Sequence, residues 1–197
     1  MNSSTRAFAV VTLTALGSLY LLLYAPFASH SMPQQSASGS DNGIPGLGFT
    51  VSQVSYGPPT LQVTLKNDHP SSTFTILRWA TPLDPQALNL GIFKLVDADT
   101  GTAINTDIIK VGRKMPPPKE DLLELQSGAE NTVEVVFDKP WMPNRKPASY
   151  KVWIEGEFHG VWEKPVREVS EQELEDYTGS PLDGRNFRSE QVELRVQ

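Results

Sequence analysis

The chain has 197 residues, 20% of them charged, with 23 Asp and Glu against 17 Lys and Arg, a net charge of −6 and no cysteine. The negative balance argues against a nucleic-acid partner, whose phosphates need a basic face. Without a thiol the protein can form neither a disulfide nor a thiolate zinc site, so its stability rests on packing.

After Arg6 the chain runs from Ala7 to Ala28 without a charge. That length matches the roughly 20 apolar residues of a bilayer-spanning helix and exceeds the roughly 7 to 15 of an ordinary signal-peptide core. Pro26, the short n-region, and the small residues Ser29 and Ser31 ahead of Met32 favour a cleavage point instead. Residues 1–31 are therefore read as a signal peptide or a signal anchor, with removal favoured. In the anchored alternative, a single pass at Ala7 to Ala28 with Arg6 on the short side and no Lys or Arg before Lys66 leaves the fold outside the cytoplasm. Residues 32–48, rich in Ser, Gly, Gln and Pro, read as a flexible linker.

Residues 49–197 are long enough for one hydrophobic core. The dominant period is two: Phe49, Val51, Val54 and Tyr56 open a first strand, and Leu61, Val63 and Leu65 alternate with Gln62, Thr64 and Lys66 in a second. Asn67 to Ser71 is turn chemistry, and Phe74, Ile76, Leu77 and Trp79 continue as a third strand that Thr81 to Pro85 stops. A helical turn is predicted over Gln86 to Leu90. A strand over Ile92 to Asp97 then turns at Asp99-Thr100-Gly101 and returns through Ile104 to Ile109 as a hairpin. Pro116, Pro117 and Pro118 exclude a central strand. Leu122, Leu123 and Leu125 lead into a strong strand over Val133 to Phe137. Tyr150 to Phe158 and Val192 to Val196 complete about eight strands, and Ser170-Glu171-Gln172-Glu173 reads as a capping box starting a short helix in an acidic loop at 163–190. The predicted fold class is mainly β: a single immunoglobulin-like antiparallel β-sandwich.

No assembled catalytic set is legible. Gly-x-Ser-x-Gly and His-Glu-x-x-His elements are absent, and the three histidines are dispersed: His30 in the export region, His69 beside a turn, His159 before Gly160. Nothing in the spacing of Asp68, His69, Glu157 and His159 requires a metal. No catalytic residue, metal or cofactor is assigned. Of the four tryptophans, Trp79 and Trp153 are expected in the core, whereas Trp141 and Trp162 lie near turns and, with Glu157 and His159, form the candidate ligand-binding set.

The residues Leu61-Gln62-Val63-Thr64-Leu65-Lys66-Asn67, the polar turn before Phe74 and Leu77, Ile92-Phe93-Lys94-Leu95-Val96, and Leu125-Gln126-Ser127-Gly128-Ala129-Glu130 leading into Val133 to Phe137 follow one another in an order that resembles the N-terminal pro-domain of fungal deuterolysin-type zinc endopeptidases. The resemblance covers Phe49 to Phe158 and implies a β-sandwich that, in that family, lies between signal peptide and protease. The catalytic domain, with its zinc-binding histidines and general-base glutamate, has no counterpart here, so no catalytic residue carries over. The expected protein is a stand-alone, pro-domain-like, secreted fungal module: a non-enzymatic binder of another extracellular protein, or a partner or inhibitor of a secreted protease. The alternative is a carbohydrate-binding protein or hydrolase using exposed Trp and carboxylates.

Overall fold

A computed structural model describes residues 42–197; the run Ala7 to Ala28, with its choice between cleavage and anchoring, lies outside them. The strands among the described residues are β1 (Leu47–Tyr56), β2 (Pro59–Asn67), β3 (Phe74–Leu77), β4 (Phe93–Asp97), β5 (Leu122–Leu125), β6 (Glu130–Val136), β7 (Ala148–Glu157), β8 (Val161–Trp162), β9 (Asn186–Arg188) and β10 (Val192–Val196), with one short α-helix, α1 (Glu171–Glu175). They pair in three antiparallel sheets, ordered β1-β2-β6, β10-β7-β4 with β9 also on β7, and β5-β3-β8. No helix among the described residues is long and apolar enough to cross a membrane.

Alternation builds the main core. Leu61, Val63 and Leu65 of β2 are fully buried, as are Val152 and Ile154 of β7, and both rows join one cluster with Phe49, Phe93, Phe137 and Leu194. Each such side chain contributes about 1.5–3 kcal/mol on burial. A second cluster gathers Leu77, Trp79, Leu122, Trp162, Val169 and Leu174. It explains how the acidic segment 163–190 folds: Ser170 and Glu173 form the expected capping box, and α1 turns Leu174 into that cluster. Lys164 Nζ contacts both Glu173 carboxylate oxygens, at 2.7 and 2.8 Å. That pairing, with the Ser170 amide, holds the Glu173 carboxyl down to about 2.

Two polar side chains knit the sheets. Asn67 is fully buried; its Nδ2 donates to the carbonyls of Ser72 (2.8 Å) and Leu125 (3.0 Å), and its Oδ1 accepts from the His69 amide (3.0 Å). Gln53 sits where the β1–β2 register shifts, and its carboxamide imitates a backbone unit toward β10. Nε2 donates to the Arg195 carbonyl (2.7 Å) and Oε1 accepts from the Arg195 amide (2.9 Å), while Gln197 N donates to Tyr56 O (3.2 Å). The β1 side of its sheet is thereby joined to β10.

Three expectations need correction. The fold starts earlier than residue 49, because Ile44 is buried in the core and Gly46, at φ +83°, turns the chain so that its carbonyl accepts from Asp68 N (2.7 Å). A Cβ at Gly46 would lie 2.7 Å from His69 N, so only glycine fits that turn. The return from Ile104 to Ile109 is not a strand. Beyond a single bridge, Val96 to Ala103, the chain straps the outer edge of β4 and moves on to the turn at Ala87–Asn89, where Ile109 N donates to Asn89 O (2.9 Å). The strand count rises because β5, β8 and β9, of two to four residues each, are too short to show a period.

Candidate functional site

β6 ends its sheet. Asn67 N donates to Ala129 O (2.9 Å) and Phe137 N to Pro59 O (2.8 Å), so odd-numbered residues bond to β2. The backbone N–H and C=O of Glu130, Thr132, Glu134 and Val136 accordingly point away from the ladder, as alternation in an antiparallel pair requires. Beside this edge lies an open cleft of about 460 Å³ whose other wall is the Pro82–Leu88 segment, with Arg78 at the side.

The wall is held by a buried carboxylate. Asp84 accepts from the amides of Ala80 (3.0 Å) and Gln86 (2.9 Å) and forms an ion pair with Arg113. Ala80, at φ +54°, takes the left-handed conformation that this loop closure imposes. Arg113 also lies over the Trp79 ring, 5.3 Å from its centroid, and Trp79 Nε1 donates to Asp121 Oδ2 (2.7 Å). Arg78 is fixed through its backbone: its amide donates to Asp121 O (2.9 Å) and its carbonyl accepts from Thr81 Oγ1 (2.7 Å). Its Nε is buried with no hydrogen-bond partner, and its guanidinium makes no ion pair among the described residues. The cleft thus combines an open row of peptide donors and acceptors with an unpaired cation.

The residues singled out from sequence are distributed differently from expectation. Trp162 is only 1% exposed and belongs to the second cluster, so it offers no stacking surface; as part of β8, it is held inward by pairing with Thr75. Trp141 is half-buried against the main cluster. Glu157 is exposed at the end of β7, and His159 Nδ1 stands 3.9 Å from Asp183 Oδ1. Trp79 is buried as expected, but Trp153 is not a core residue. With Val152 and Ile154 turned inward it must face outward, where Nε1 donates to Glu155 (2.9 Å) and the Arg188 guanidinium sits 5.9 Å from its ring. Asp68 pairs with Lys66 at 2.7 Å, and His69 Nδ1 accepts from the amides of Ser71 and Ser72. Among the described residues no three His, Asp or Glu side chains are placed to hold a metal ion.

Arg78 and the β6 edge escape a sequence reading. The one available signal is a cation flanked by Leu77 and Trp79, together with polar Glu130, Thr132 and Glu134 at alternate positions of β6, which suit an edge strand.

The immunoglobulin-like domain family model matches residues 46–196. An uncharacterized secreted protein of the fungus Arthroderma benhamiae is 31% identical over 158 residues, which cover 76% of this chain and 78% of that protein. Its description as secreted accords with the export expected here. The matched span takes in every strand from β1 to the end of β10, and the chain belongs to the immunoglobulin-like domain family.

Proposed function

We propose that this protein is a non-enzymatic module that works outside the cytoplasm and binds another protein by adding one of its extended segments to β6. The observation that carries the reading is the open backbone row of Glu130, Thr132, Glu134 and Val136 beside an open cleft of about 460 Å³. The family and the secreted relative support an exported module without catalysis. The resemblance to deuterolysin-type pro-domains suggests the narrower form, a partner or inhibitor of a secreted zinc protease.

The full chain, used as bait on culture medium and cell-surface extracts, is expected to retain a partner that the Glu134→Pro variant loses. Proline there removes an outward N–H without touching the β2 ladder. A partner retained equally by both proteins overturns the edge reading. Deuterolysin-type proteases titrated with the chain should be bound or inhibited, and neither effect would remove the narrower form alone. N-terminal sequencing of the exported protein should start near Met32; an intact Arg6 in the membrane fraction would assign an anchor.

A further inference from the structure

We infer that the partner segment carries a carboxylate, directed inward to Arg78 as the segment pairs with β6. This inference rests on the edge reading above and adds the chemistry of the guest.

The argument begins with Arg78. A buried N–H lacking an acceptor is costly, and a guanidinium without a counter-ion beside an apolar wall is a poor resting arrangement unless something completes it. Of the carboxylates lining the cleft, Asp84 is already occupied by Arg113 and two backbone amides, Asp138 stands 3.7 Å from Lys139, and neither they nor Glu134 forms an ion pair with Arg78. The planar fork of an arginine matches a carboxylate in two parallel hydrogen bonds. Next to it, the outward N–H and C=O groups of Glu134 and Val136 accept only a group with the same alternating pattern, which is an extended polypeptide. A free small acid would satisfy Arg78 and leave the edge empty. An apolar peptide would do the reverse.

A second copy of this chain does not fit. The half-buried β6 side chains beside the cleft, Val133 and Val135, carry no charge and would bring Arg78 no carboxylate. The guest is therefore a segment of a different protein with Asp or Glu at an inward position, or with its own C-terminal carboxylate at that point.

The test is a displayed library of random octapeptides selected on the full chain, followed by fluorescence anisotropy of the enriched peptides. Binders are expected to carry an inward Asp or Glu or to depend on a free C-terminus, and the two sources separate on Asn or Gln replacement against C-terminal amidation. Removing the carboxylate should weaken binding at least about tenfold. Arg78→Met should weaken it by the same factor and have no further effect on the neutralised peptide, while Arg78→Lys should recover only part of the loss. Glu134→Pro should abolish binding of all enriched peptides. Affinity lost in Glu134→Pro but unchanged in Arg78→Met would overturn this inference and leave the edge reading standing. Affinity unchanged in both would overturn the two together, and so would the absence of any enriched peptide. If Arg78→Met fails to fold, the peptide-side replacements alone decide.

Discussion

Replacing Asn67 with alanine should cost about 3 kcal/mol of stability. The amide makes three hydrogen bonds, two donated to the carbonyls of Ser72 and Leu125 and one accepted from the His69 amide, and the residue is fully buried. At about 1 kcal/mol each, and with no water able to replace the bond at the buried Leu125 carbonyl, the losses sum to about that figure. For a domain of this size the thermal midpoint should fall by about 6–12 °C. Guanidinium unfolding of the wild type and the variant measures it directly, as a lower midpoint at unchanged m-value. Asn67→Asp separates hydrogen bonding from shape: it keeps the acceptor for His69 N but turns an ionised oxygen on two carbonyls, and should cost at least as much at neutral pH. If both variants remained within about 0.5 kcal/mol of the wild type, the view that this amide ties β2 to β5 would be refuted.

Three further outcomes follow from the same geometry. Because the folded-state pKa of Glu173 is lowered from 4.5 to about 2, its contribution is fully present above pH 4.5 and is lost as pH falls through about 2. With the side chain 37% exposed, that contribution stays below about 1 kcal/mol, and Glu173→Gln should remove this part of the acid dependence of the unfolding midpoint. Gln53→Ala should destabilise by about 1–2 kcal/mol and speed hydrogen exchange at the Arg195 amide, which would otherwise exchange unchanged. Trp162→Ala should cost about 3–5 kcal/mol by opening the second cluster; a calorimetric loss under about 1 kcal/mol would show that the cluster collapses freely.

Long strands with one buried face were legible in the sequence, because the alternation of Leu61, Val63 and Leu65 against polar neighbours has a single structural solution. Two-residue β8 and three-residue β9 carry no period, and their positions come from tertiary pairing with β3 and β7. The expected hairpin turns as read but returns only as far as Ile104, whose amide donates to Leu95 O (2.9 Å); beyond it Ile108 and Ile109 have strand-like composition, but Ile109 finds its backbone partner at Asn89 rather than on β4. Nearness to a turn is a poor guide to tryptophan exposure. Trp162 follows Gly160 yet is buried, since Gly160 admits the Trp162 ring and Leu77 at a distance where a Cβ would press on both. The candidate site was barely legible because an open edge is a property of what fails to pair, and the polar residues of β6 mark an exposed strand face without saying that the edge beside it is free. The capping box, a four-residue local device, was read correctly for the opposite reason.

The Gln53 stitch has a bearing on valency. On one flank of the β1-β2-β6 sheet, a side-chain amide and the Gln197–Tyr56 bond turn the backbone of β1 toward β10; on the other, β6 has nothing beside it in the sheet. A sheet that can be extended from one flank takes up one strand at a time. On the proposed edge binding, such a protein would act as a stopper rather than a linker, occupying a partner's strand without bridging two partners through this sheet.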